Sequence, residues 1–220
     1  CGIIINVVTQ QTSLATNLSV LIRSLGTNYL FVAMCIAMVG CMILGMALPT
    51  VAAYLVGVIL FVPCIQPILL QTGMEPPTAA LCSNMFVFYY GIMAQITPPV
   101  CVASYTAAGI AGADAMKTGL KGFTFAMVGF LVPFVFVYNP PLLLKGTWTE
   151  IAIATLQLAV GTYFLAIVVA GFFKKTLNVF ERVVLFAASM CLIAPEPVSS
   201  VIGAVIGVAI LFINAKKAKS

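Results

Sequence analysis

Long apolar runs separated by short polar turns dominate the chain. Runs long enough to enter or cross a membrane lie at about residues 29–48, 51–70, 78–96, 122–139 and 151–173. A spanning helix needs ~20 such residues. Shorter apolar runs lie at 99–112, 184–195 and 199–213. The pattern predicts an all-α polytopic membrane protein.

Composition and charge agree with this prediction. Apolar residues make up 63% of the chain and charged residues 7%, whereas soluble domains carry roughly 25% charged residues. Between Arg23 and Lys117 the only charged residues are Glu75 and Asp114. The net charge of +5 comes from residues that flank apolar segments rather than forming a basic stripe, which argues against a nucleic-acid partner. The apolar start at Cys1 leads us to expect the C-terminal piece of a longer protein.

Two breaks interrupt the apolar pattern: GMALPT at residues 45–50 and QITPPV at residues 95–100. Proline lacks an N–H and clashes with the preceding helical turn, so each break leaves backbone carbonyls without helical partners. In hydrocarbon such groups are tolerated only where protein buries them or where they line a cavity. Secondary transporters build their binding sites from discontinuous helices of this kind. The breaks therefore indicate a transporter.

The first break predicts a re-entrant helical hairpin over residues 29–70 with its tip at Pro49. Gly45 and Pro49 disfavour a continuous helix, and we expect Thr50 to cap the second helix. Two full spans are the alternative. The second break predicts a broken helix over residues 78–112.

Charge bias orients the segments. By the positive-inside rule, Lys174, Lys175, Arg182 and the lysine-rich tail lie in the cytoplasm, and Lys145 lies outside. This orientation predicts a cytoplasmic C-terminus. Residues 1–28 are predicted to form an interfacial arm.

A coupling-ion site is expected where the two breaks meet. The chain has no histidine, which argues against zinc or haem, and no acidic residue falls within a predicted span. Sodium, in contrast, can be held by neutral carbonyl and hydroxyl oxygens. The candidate sodium ligands are Gly45, Ala47, Leu48, Thr50, Ile96 and Thr97. No other metal and no organic cofactor are expected.

A substrate cavity is expected beside these ligands. A helix that begins near Pro98 would direct its positive dipole end toward an anionic substrate. The candidate cavity residues are Pro49, Gln95, Pro98, Pro99, Ser104 and Thr106. Structural roles are the alternative, because Thr and Ser in membrane helices often donate to their own i−4 carbonyl.

An enzyme is not expected, because the chain lacks histidine and any acidic residue within a span. Gly203 and Gly207 are predicted to permit close helix packing.

Four motifs resemble one transporter family: LGMALPTVAAY (44–54), QITPPV (95–100), AAGIAGAD (107–114) and FVYNP (136–140). They are similar to the large permease subunit of tripartite ATP-independent periplasmic (TRAP) transporters. Among these, the motifs look most like those of fused permeases, which join the small and large subunits in one chain and work with TAXI-type binding proteins. The resemblance covers about residues 1–145, and residues 146–220 look like the extra C-terminal membrane helices of some fused members.

The resemblance implies an elevator-type carrier built from inverted repeats. This chain is then the second repeat, the C-terminal half of the permease. Residues 29–145, including the span at 122–139, form half of a transport domain, and the N-terminal half and small-subunit region lie elsewhere in the same permease. It further implies sodium-coupled import of a small organic anion across the inner membrane of a bacterium or archaeon, with delivery by a periplasmic TAXI-type protein. A non-TRAP sodium/anion symporter with two hairpins, a passive channel and a structural membrane subunit are the alternatives.

Overall fold

The computed structural model describes residues 30–194 and 197–217. Among these residues the regular elements are helices, and six of them are long and apolar enough to cross a membrane. The prediction of an all-α polytopic membrane protein is therefore confirmed. The predicted interfacial arm at residues 1–28 lies outside the described residues.

The chain divides into two compact units, Cys1–Phe123 and Thr124–Ser220. These units describe packing. The functional division into a transport-domain half ending at residue 145 and a C-terminal extension stays a prediction.

Among the described residues of the first unit, which begin at Leu30, three long helices are followed by two shorter ones. They are α1 (Leu30–Ala47), α2 (Thr50–Gln71), α3 (Pro76–Met93), α4 (Val102–Ala111) and α5 (Ala115–Ala126), with a short 3-10 turn at Ala94–Ile96 after α3. A tight turn separates α2 from α3 at Gly73, whose φ of 86° favours glycine. The polar turn expected between the apolar runs at 51–70 and 78–96 is therefore present, at residues 72–75.

Helices α1 and α2 pack as an antiparallel pair around small residues. A Cβ on Gly40 would collide with the Phe61 ring, and Cys41 Sγ lies 3.6 Å from the Cβ position of Gly57. Small residues let membrane helices approach closely, where dispersion contacts rather than the hydrophobic effect hold them together.

Helix α3 packs against both members of this pair. Val87 lies 2.7 Å from the Cβ position of Gly57 on α2, and Phe86 and Tyr90 are fully buried. This packing holds the C-terminal end of α3 beside the end of α1, which positions the two breaks.

The described part of the second unit, residues 124–194 and 197–217, contains three long helices and a distorted segment. The segment comprises a 3-10 turn (Met127–Leu131), α6 (Val132–Tyr138) and a second 3-10 turn (Pro140–Leu143), and the long helices are α7 (Trp148–Ala170), α8 (Val179–Ile193) and α9 (Pro197–Lys217). Ala115–Tyr138 together form one candidate span, so the run predicted at 122–139 begins earlier and is not a regular α-helix throughout.

Helices α7, α8 and α9 pack side by side with alternating direction. Gly161 of α7 lies against Ile193 of α8, and Gly203 of α9 lies against the backbone of Ala188 and Leu192. Phe164, Leu185 and Leu192 belong to their buried core. The prediction that Gly203 permits close packing is confirmed. The final apolar run was expected to be short, but the window Ser199–Lys216 qualifies as a candidate span.

Candidate ion and substrate site at two helix breaks

The first break separates α1 from α2 by two residues, Leu48 and Pro49. The Leu48 N–H still donates to the Leu44 carbonyl at 3.0 Å, which completes the last turn of α1. In a continuous helix the Gly45 carbonyl would next accept from residue 49. Since Pro49 has no N–H, that acceptor lacks a helical donor.

Gln95 from the second break supplies the missing donor. Its Nε2 donates to the Gly45 carbonyl oxygen at 3.1 Å. Unpaired backbone groups are costly inside a membrane, so this bond both satisfies Gly45 and joins the two breaks. The predicted meeting of the hairpin tip and the broken helix is present at this contact.

Gly45 is required by this close approach. A Cβ at this position would lie 2.6 Å from the Cβ of Ala94 and 2.8 Å from the carbonyl oxygen of Gly91. Both atoms belong to the segment that carries Gln95. A larger residue would push the hairpin tip away from the second break.

The second break is an irregular loop between the 3-10 turn and α4. The Cys101 N–H donates to the Thr97 carbonyl at 3.3 Å, and Cys101 adopts the left-handed conformation with φ of 35°. The Pro98–Pro99 peptide bond is cis. The Tyr105 hydroxyl of α4 donates to the Pro99 carbonyl at 2.7 Å, which ties the loop to the following helix.

The Thr97 side chain lies at the start of this loop and is 5% exposed. Its hydroxyl donates to the Met93 carbonyl at 2.8 Å, so the i−4 bond that was the structural alternative is formed. A hydroxyl that donates its proton keeps lone pairs on the oxygen. The Thr97 oxygen therefore remains able to face a cation.

The six candidate sodium ligands occupy both breaks. Gly45 and Ala47 end α1, Leu48 is in the loop, Thr50 begins α2, Ile96 ends the 3-10 turn and Thr97 follows it. Gly45 and Thr97 are buried, whereas Ala47 is exposed and the others are half-buried. The last turn of α1 also leaves the carbonyls of Met46 and Ala47 beyond the reach of intrahelical donors.

Two expectations about these helix ends are wrong. Thr50 does not cap α2, because Pro49 occupies the capping position and no side-chain bond caps the helix. The helix after the second break begins at Val102 rather than near Pro98, because the Pro98–Pro99 pair and the left-handed Cys101 delay the return to helical geometry. The positive end of α4 therefore lies further along the chain than expected.

The six candidate cavity residues are more dispersed. Pro49 is at the hairpin tip, Gln95 is in the 3-10 turn, Pro98 and Pro99 are in the loop, and Ser104 and Thr106 are on α4. Ser104 is buried, and its Oγ lies 2.8 Å from the Cβ position of Gly122 on α5. The Thr106 hydroxyl is exposed and donates to the Val102 carbonyl at 2.9 Å.

One polar pair between α2 and α3 was not anticipated. The Tyr54 hydroxyl of α2 donates to Asn84 Oδ1 of α3 at 3.4 Å, and Asn84 donates in turn to the Ala80 carbonyl. The signal in the sequence was an asparagine within the apolar run at 78–96. The pair gives α2 and α3 a polar contact in addition to their apolar packing.

No formally charged side chain is part of either break. Glu75 is exposed at the N-terminus of α3, and Asp114 Oδ1 accepts from the Lys117 N–H at the N-terminus of α5. The oxygens of the two breaks are those of backbone carbonyls, of the Gln95 side-chain amide, and of the Thr50 and Thr97 hydroxyls. Such neutral oxygens suit a hard cation.

Comparison with protein-family models matches residues 1–151 to the DctM component of the tripartite ATP-independent periplasmic transporters. This match contains both breaks. No curated protein and no solved structure matches the chain significantly.

Proposed function

Because the chain belongs to the DctM family of large TRAP permease components, we propose that its two helix breaks form a sodium site that couples ion entry to substrate import. Membership makes the protein a multi-pass secondary-transporter permease, which is not an enzyme class. It also decides against the non-TRAP symporter. The family implies a periplasmic binding protein as a partner.

The contact between Gln95 and Gly45 is the main observation that supports the proposal. It brings two proline-interrupted segments, 50 residues apart in sequence, to within 3.1 Å. Around it lie a buried hydroxyl oxygen and backbone carbonyls at the end of α1. A weakly held, exchangeable sodium ion is expected where neutral oxygens replace water and no carboxylate holds the ion permanently.

The architecture supports a specific assignment of parts. We assign α1 and α2 to a re-entrant hairpin, and α3 and α4 to a broken helix, within the second inverted repeat of an elevator-type transporter. The first repeat and the small-subunit region then complete the permease. Gln95, Ser104 and Thr106 are assigned to the substrate side of the breaks.

The substrate is proposed to be a small organic anion. Neither break contains an acidic residue that would repel it, and the sodium ion would supply positive charge near the site. Delivery by a TAXI-type periplasmic protein and location in the inner membrane, with a cytoplasmic C-terminus, complete the proposal.

The test compares the thermal stability of the complete permease in sodium and in potassium at equal ionic strength. A ligand that binds only the folded state stabilises it by RT ln(1 + [L]/Kd), which is ~2.7 kcal/mol at about 100 times Kd. We expect sodium to raise the unfolding temperature. Thr97→Val, which removes the hydroxyl oxygen and keeps the side-chain shape, should reduce that rise.

Thr155→Val is the matched control, because the Thr155 hydroxyl makes the same i−4 bond, to the Ile151 carbonyl at 2.7 Å, on α7. This variant should keep the full sodium effect. Equal stability in both salts would contradict the sodium site. A sodium effect that Thr97→Val leaves unchanged would move the site away from the second break.

A further inference from the structure

A groove in the second unit has the chemistry of a phospholipid site. It encloses about 400 Å³ and is lined by α7, α8 and the segment around the 3-10 turn at Met127–Leu131. Its apolar wall includes Met127, Val128 and Leu165. The single charged side chain in its lining is Arg182. An apolar groove that ends at one cation matches the acyl chain and the negatively charged headgroup of an anionic lipid.

Arg182 is held in a fixed orientation at the end of this groove. Its Nε and Nη2 donate to the Val168 carbonyl at 3.0 and 2.7 Å, and Nη2 also reaches the Val169 carbonyl at 3.3 Å. These are carbonyls of the last turn of α7, where a cation is favoured. The guanidinium is thus oriented before any ligand binds.

A glycine lets the guanidinium approach this helix end. Gly171 ends α7 in the left-handed conformation, with φ of 69°. A Cβ at this position would lie 3.1 Å from Arg182 Cζ and 3.3 Å from both Nη atoms. The absence of a side chain at Gly171 therefore leaves room for the Arg182 guanidinium at the end of α7.

The Nη1 edge of the guanidinium remains available to a ligand. The three hydrogen bonds of Arg182 use Nε and Nη2, so the two N–H groups of Nη1 make no bond within the described part of the chain. The adjacent acid, Glu181, accepts instead from the Asn178 N–H at 3.1 Å as part of the capping box of α8.

The surrounding charge is basic. Lys174 and Lys175 are exposed in the loop between α7 and α8. The backbone N–H groups of both residues donate to the buried Asn214 Oδ1 of α9. This contact brings the exposed Lys216 of the same helix to this end of the unit. Clusters of this kind at the end of membrane helices attract anionic headgroups.

We propose that this groove binds an anionic phospholipid, with an acyl chain between α7 and the 3-10 turn at Met127–Leu131 and the phosphate on Arg182 Nη1. An acyl chain suits the apolar wall, and a phosphate suits the free donors of arginine. The occupied site would also neutralise a charge that otherwise lies at the edge of an apolar groove.

Native mass spectrometry of the complete permease tests the proposal. The probes are phosphatidylglycerol and phosphatidylcholine with identical acyl chains. We expect phosphatidylglycerol to be retained preferentially. Arg182→Gln should lower its retention about fivefold or more, since each basic residue near an anionic headgroup is worth ~1 kcal/mol.

A second variant covers the risk that Arg182→Gln loosens the end of α7. Met127→Trp fills the groove and leaves the guanidinium in place, so it should also lower retention. Lys174→Gln removes one charge from the same end of the unit, but Lys174 does not line the groove, so this variant should lower retention less than Arg182→Gln does.

Equal retention of the two lipids would overturn the proposal. So would an equal loss in Lys174→Gln and Arg182→Gln, or full retention in Met127→Trp. Excess inorganic phosphate should not displace the lipid, and displacement by phosphate alone would contradict the role of the apolar groove.

Discussion

Gly45 is the residue on which the contact between the two breaks depends most directly. It offers a carbonyl that Pro49 cannot satisfy, and it lacks the side chain that would keep Gln95 away. The sequence marked Gly45 only as a poor helix former. Its second role, as the point of closest approach, depends on the position of Ala94 and Gly91.

Replacing Gly45 with alanine should destabilise the permease. The new Cβ would meet backbone and a short side chain, which cannot move aside easily. Overpacking of this kind costs about 1–3 kcal/mol. The measurement is thermal unfolding in detergent.

Gly109→Ala provides the comparison for this prediction. Gly109 lies within α4, and nothing lies within 4 Å of its Cβ position. Alanine favours a helix over glycine by up to ~1 kcal/mol, so this variant should be as stable as the parent or more so. Equal stability of the two variants would contradict the close approach at Gly45.

At the scale of the elements, the breaks and the close-packed glycines have different structural roles. The breaks expose backbone oxygens, and glycines hold the neighbouring helices tightly enough to fix them. The same device stabilises the α8–α9 pair. There Ser200 Oγ also donates to the carbonyls of Leu192 and Ala194, at 3.2 and 3.1 Å.

Gly203→Ala should therefore separate α8 from α9. The added Cβ would lie 2.5 Å from the Ala188 carbonyl oxygen and 2.6 Å from the Leu192 nitrogen. Because both are backbone atoms, we expect a loss of about 1–3 kcal/mol in unfolding free energy. Val205→Ala, at a position that is 63% exposed on the same helix, should cost less. An unfolding temperature that Gly203→Ala does not change would contradict this packing.

At the scale of the whole molecule, charge bias is the basis for the orientation. Lys174 lies in the α7–α8 loop, and Lys145 precedes α7. Since α7 is a 23-residue candidate span, these two lysines are expected on opposite sides of the membrane.

Single cysteines at Lys145 and Lys174, in a permease otherwise free of cysteine, test this orientation. An impermeant maleimide applied to intact spheroplasts should label Lys145→Cys. It should label Lys174→Cys only after the membrane is opened. The reverse pattern would invert the proposed topology, and labelling of both would mean that α7 does not span the membrane.

By itself the sequence determined the helical class, the positions of the two breaks and the family. These properties follow from local rules, because apolar length sets a span and proline interrupts a helix wherever it occurs. The tertiary structure decided that Gln95 bonds Gly45, that α4 begins at Val102 and that Arg182 caps α7 beside an apolar groove. Those features depend on which atoms meet across segments distant in sequence, and the spacing of residues along one chain does not specify such meetings.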